Sequence, residues 1–133
     1  MSKRFLISVA VIFVVSMAFG YIVHGLLLGA DYAQLPGLFR QPPDAEIYFP
    51  YMLLAHVFIA AGFVWIYLHG KEDKPFLSQG IRYGVAIAVL VTIPTYLIYY
   101  AVQPMPGALV CKQIVLDTVS VIIMGVIVAR LNQ

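Results

Sequence analysis

Of the six acidic side chains in this 133-residue chain, five lie in polar segments and one, Asp117, lies inside a long apolar run. A carboxylate in that setting is costly to desolvate, so it marks either a polar contact between helices or a place where a proton, ion or ligand is handled. His24 and His56 lie in apolar runs of their own. Imidazole and carboxylate together can pass a proton or hold a polar ligand, and histidines on facing helices can ligate haem iron. Counting about 1.5 Å per helical residue from the expected span ends puts Asp117 about 12 Å, His56 about 13 Å and His24 about 6 Å below one surface. Thr95 and Tyr99 come about 10 and 5 Å down on the same scale.

Helical periodicity places Gln113, Asp117, Ser120 and Met124 on one stripe, Met52, His56 and Ala60 on a second, and Thr92, Thr95 and Tyr99 on a third. The expectation is an inward cluster in which His56 and Asp117 face each other, with His24, Thr95, Tyr99 and Gln113 as further candidates for a ligand, ion or proton site. The structural alternative is that Asp117 is a polar contact held by His56, a threonine or a tyrosine hydroxyl, fixing helix order. Haem would use His24 and His56, with Met17 or Met52 as substitute ligands, against the depth difference of about 7 Å between the histidines. A metal would draw on His24, His56 and Asp117. No HExxH, GxSxG, P-loop or dinucleotide motif is present, so no catalytic residue is assigned. The single cysteine, Cys111, has no internal disulfide partner.

The elements that must position these residues follow from composition. Hydrophobic side chains make up 62% of the chain and charged ones 11%, with a mean hydropathy of +0.94. That is far from an ordinary soluble domain and from a disordered chain. Charge-free runs long enough to cross about 30 Å of hydrocarbon predict spans at about 5–28, 47–69, 80–102 and 109–131. The first run exceeds a signal-peptide core and reads as a retained helix. The expected fold is an all-α integral membrane four-helix bundle, up-down-up-down, filling residues 1–133 as one transmembrane domain.

Lys3, Arg4, Lys71, Lys74, Arg82 and Arg130 fall on one side against Arg40 and Lys112 on the other, which predicts both termini in the cytoplasm. The net charge of +2 gives no support for a nucleic-acid partner. Small residues predict where helices pack: Gly80, Gly84 and Ala88 on the third helix, Gly20, Gly25 and Gly29 on the first, and Gly125 on the fourth. Pro94 predicts a kink in the third helix. The first loop, residues 29–46, is long, and its apolar residues would lie on headgroups or fold over the mouth of the bundle.

The stretches Tyr21-Ile22-Val23-His24-Gly25, Tyr51-Met52-Leu53-Leu54-Ala55-His56 and Ile93-Pro94-Thr95-Tyr96-Leu97-Ile98-Tyr99-Tyr100 resemble segments of small four-helix bacterial membrane proteins. That resemblance implies a bacterial inner-membrane location and brings no activity. In size the chain is also similar to small multidrug transporters, but those carry their acidic residue in the first helix, and this chain has none there. Three classes of function follow. The first is a non-enzymatic accessory or structural subunit, alone with lipid, as a homo-oligomer or with other membrane subunits; its polar residues should be mutually satisfied and out of reach of any cavity. The second is an oligomeric carrier of a small solute, ion or proton using Asp117 and His56. The third is a haem- or metal-binding redox protein using His24 and His56.

Overall fold

The computed structural model describes residues 2–133. Four long helices, α1 (Lys3–Leu27), α2 (Phe49–Gly70), α3 (Phe76–Val102) and α4 (Gly107–Leu131), are each long and apolar enough to cross a membrane. Among the described residues there is no strand, and the chain is an all-α, multi-pass membrane four-helix bundle. Large apolar side chains such as Phe58 and Leu90 point away from the bundle, as expected of helices whose outer solvent is lipid.

Local chemistry sets the helix ends. Ser2 caps α1, its hydroxyl accepting the Phe5 N–H at 3.2 Å. Pro75 and Pro106 immediately precede α3 and α4 with extended backbone, and their carbonyls accept the first helical N–H groups, from Gln79 and Val110. A proline suits a helix start because its fixed φ fits the first turn and its missing N–H would have no partner there. As a result α3 begins at Phe76, ahead of the expected Gly80. Gln79 secures the short α2–α3 loop: its side-chain oxygen accepts the Glu72 N–H at 2.7 Å, and its amide donates to the carbonyls of Glu72 and Lys74.

The tightest seam is between α3 and α4. A Cβ on Gly80 would stand 2.5 Å from Val126 Cα, and one on Gly84 2.5 Å from Ile122 Cα, while Gly125 faces the backbone of both glycines. Only hydrogen fits at these positions, so the two backbones touch directly and continue as a close contact at the buried Ala88. The glycines of the first helix behave differently. Gly20 stands beside the His56 ring, Gly25 beside its own helix's Tyr21, and Gly29 has almost nothing near it. They do not form the helix-packing stripe expected of them.

The core divides in two along the bundle axis. Towards the termini, Ile12, Ala60, Phe63, Val64, Tyr67, Met124 and Val128 bury one another, and the Tyr83 hydroxyl donates to the Phe63 carbonyl at 2.5 Å. At the opposite end Val23, Leu28, Met105, Leu109 and Val110 are covered by Tyr32, Leu35, Leu38 and Phe39. The first loop therefore folds over the mouth of the bundle. It includes two short helical turns, Gly29–Ala33 and Asp44–Ile47, and is pinned to α4 by Lys112, whose Nζ lies 2.9 Å from Asp31 Oδ1.

Two stretches depart from α geometry: Tyr21–Leu27 at the end of α1 and Ala88–Thr92 in the middle of α3 are π-helical. The second lies just before Pro94, which has no N–H to give to the ladder. In a regular α-helix each four-residue step overshoots a turn by about 40°, so Gly80 and Tyr96, four steps apart, would point roughly 160° away from each other. A wider π turn takes back part of that rotation. Gly80, Gly84, Ala88, Thr92 and Tyr96 thus stay on the side of α3 that meets α4.

Candidate functional site

Asp117 lies on α4 ten residues beyond its start, and its carboxylate is met from two directions. His24 Nε2, from the π segment of α1, stands 3.2 Å from Oδ2, and the Tyr96 hydroxyl from α3 donates to the same oxygen. On the other side of the imidazole, His24 Nδ1 is 2.6 Å from the Tyr32 hydroxyl of the first loop, which also receives the Gln113 amide at 3.2 Å. Three helices and the loop are thereby joined through one chain of polar contacts, Gln113 to Tyr32 to His24 to Asp117 to Tyr96. Burial pushes the Tyr32 hydroxyl above its ordinary pKa of 10.0, the Gln113 hydrogen bond lowers it, and the nearby Asp117 and Asp31 charges raise it again. The phenol therefore stays protonated at neutral pH and donates to Nδ1, which assigns the imidazole proton to Nε2, facing Asp117.

His56 belongs elsewhere. Its Nδ1 lies 2.9 Å from the Ser16 hydroxyl oxygen of α1. Ser16 has a single proton, which it gives to the Phe13 carbonyl at 2.9 Å, so the shared contact is His56 Nδ1–H donating to Ser16. The lone pair of His56 is then on Nε2, which has no hydrogen-bond partner among the described residues.

The two histidines border the same space. A groove of about 790 Å³ runs between α1 and α2 beneath the first loop, with His24 and Tyr32 on one wall and His56 at the inner end. His56 is seven residues inside α2, about 10 Å from its start. Met17, Gly20, Tyr21, Phe39, Phe49 and Met52 supply most of the remaining surface, and Arg40, Glu46 and Tyr48 form the rim. Gly20 and Gly25 keep the α1 side open by having no side chain there. Arg40 is already engaged, with Nη1 3.0 Å from Asp44 Oδ2 and its guanidinium 3.5 Å from the Tyr48 ring centroid. Glu46 has no ion-pair partner among the described residues.

The sequence-derived candidates divide accordingly. Asp117, His24 and Gln113 come together as a network. His56 does not face Asp117; Ser16 takes its Nδ1, and His24 occupies the place beside the carboxylate. Thr95 and Tyr99 are exposed on the outer side of α3 and do not join the network, because the π turn brings Tyr96 inward. Tyr32, Tyr96 and Ser16 were not among the candidates. Tyr96 had a signal, as the next member of the Gly80, Gly84, Ala88, Thr92 series, and Ser16 and His24 share a four-residue spacing through Gly20. Tyr32 lies in a loop and had none.

Both ring nitrogens of His24 are engaged, whereas His56 Nε2 is free beside Met17 and Met52, and among the described residues no group of three His, Cys, Asp or Glu side chains converges. No protein-family model matches the chain, and neither the curated proteins nor the solved structures include a significant match to it.

Proposed function

We propose that this small multi-pass membrane protein is a non-enzymatic binding protein that holds an amphipathic small molecule in the groove between α1 and α2. The observation that carries the reading is the groove itself: about 790 Å³, mainly apolar, with an unpaired imidazole nitrogen at its inner end. That size lies within the usual range of ligand pockets, about 300–1,000 Å³, and a few convergent polar groups in an apolar wall are their common pattern. A purely structural accessory subunit would have polar residues out of reach of any cavity, which is a poorer fit to His56. The carrier reading loses its pairing of His56 with Asp117.

In this reading the Gln113–Tyr32–His24–Asp117–Tyr96 chain is the support of the site. It clamps the first loop onto α1 and α4 and so fixes the roof over the groove. By the distribution of Lys and Arg, both termini lie in the cytoplasm and the groove opens near the outer surface of the membrane.

Native mass spectrometry of protein released from nanodiscs tests the proposal. Wild type should retain a small-molecule adduct, and Gly20→Leu, which fills the groove beside His56, should lose it. Equal adducts on both proteins, or none on wild type in any lipid mixture containing the cell's own extract, would refute it.

A further inference from the structure

Resting on the groove reading, we infer that the occupant is an apolar molecule with an uncharged hydroxyl head, bound with that hydroxyl donating to His56 Nε2. Three observations narrow the chemistry. The tautomer is set by Ser16: with the Nδ1 proton given to Ser16, Nε2 presents a lone pair, so the group it receives must be a hydrogen-bond donor. An ether, an ester carbonyl or a ketone oxygen has nothing to offer there.

Charge narrows it further. An anionic head would need a free cation, and the one cation bordering the groove, Arg40, is at the rim and is already paired with Asp44 and stacked on Tyr48. An ammonium would need a counter-charge beside His56, and the other titratable side chains on the groove walls below the rim are Tyr21, His24 and Tyr32, none of them a carboxylate; the carboxylate of Glu46 belongs to the rim. His24 in turn holds Asp117 for itself. A hydroxyl is the common donor that enters such a place without charge. The body of the molecule is apolar and unselective in outline, since Met17 and Met52 are unbranched, flexible side chains that adapt to irregular shapes.

The test uses wild-type protein in nanodiscs and a photoactivatable long-chain primary alcohol, with the matching amine, fatty acid and methyl ether as competitors. The alcohol should label peptides of α1 or α2, and the unlabelled alcohol should compete about tenfold better than its methyl ether, the equivalent of one hydrogen bond. His56→Phe should weaken labelling about tenfold, and His56→Gln, which keeps an acceptor near the position of Nε2, should restore most of it. Competition by the ether, amine or acid as strong as by the alcohol, with labelling still abolished in Gly20→Leu, would overturn the hydroxyl assignment and leave the groove reading standing. Labelling of Gly20→Leu equal to wild type would overturn both. The alcohol-against-ether comparison needs no variant, so a failure of His56→Phe to fold does not remove the test.

Discussion

Replacing Gly84 by Ala should separate α3 from α4. The added Cβ would stand 2.5 Å from Ile122 Cα and 2.9 Å from the Val121 carbonyl oxygen, where ordinary contact begins at 3.4 Å. Both neighbours are backbone, so neither can rotate away, and the helices must part locally by the difference between 2.5 and 3.4 Å, about 0.9 Å. A gap of that size forfeits a quarter to a half of each contact's ~0.1–0.2 kcal/mol, and with on the order of 60 atom pairs along the seam the loss is about 1.5–6 kcal/mol. Alanine's better helix propensity returns up to about 1 kcal/mol. The net destabilisation should be about 0.5–5 kcal/mol. Gly62→Ala is the matched control: it is also inside a helix, but a Cβ there meets nothing within 4 Å, so the propensity gain of roughly 0.5–1 kcal/mol should appear alone. Reversible unfolding in mixed micelles, followed by circular dichroism, measures both. If Gly84→Ala is no less stable than Gly62→Ala, the direct backbone contact between α3 and α4 is wrong.

Asp117→Ala removes the acceptor for both His24 and Tyr96; at about 0.6–2 kcal/mol per polar contact between membrane helices it should cost about 1–4 kcal/mol in the same assay, whereas Asp117→Asn, which keeps an oxygen, should cost less. Glu72, in the exposed α2–α3 loop, is held below its ordinary carboxylate pKa by its hydrogen bonds to Lys74 and Arg82. Because the folded value is the lower one, the stabilisation is present above the ordinary value of 4.5 and is lost as pH falls through the folded value. The pH dependence of the thermal midpoint on the acid side of neutrality should therefore shrink in Glu72→Gln, and an unchanged profile would remove Glu72 as its source. For orientation, a cysteine placed at Gly37, where a Cβ meets nothing, should react with a membrane-impermeant maleimide in intact cells of a Cys111→Ser background, and one at Asp73 should not. The reverse pattern would invert the topology.

The four spans were legible because each is a charge-free run of crossing length, and that signal depends on composition alone. Which faces meet was legible only where the helix is regular. Gly80, Gly84 and Gly125 lie before or opposite the irregular stretch, where the α period still holds, but the π turn at Ala88–Thr92 changes the rotation of everything after it, so a strict α period puts Thr95 and Tyr99 where Tyr96 belongs. The period of α1 is likewise altered at Tyr21–Leu27, within which His24 turns towards α4. Depth counting placed His56 and Asp117 at one level, and two helices that share a level need not share a face. Ser16 is brought to His56 by the packing of α1 on α2, which no local pattern in either helix announces. Tyr32 is a loop residue brought to His24 by burial of Leu35, Leu38 and Phe39, a tertiary effect with no local pattern.

The central claim is that His56 presents an unprotonated Nε2 to a ligand groove. Nitrogen-15 spectra of histidine-labelled protein in nanodiscs measure that directly. His56 should be neutral with its proton on Nδ1, and its Nε2 resonance should move towards the hydrogen-bonded position when the long-chain alcohol is added but not when the methyl ether is. A proton on Nε2 in the free protein, or a resonance indifferent to both compounds, would contradict it.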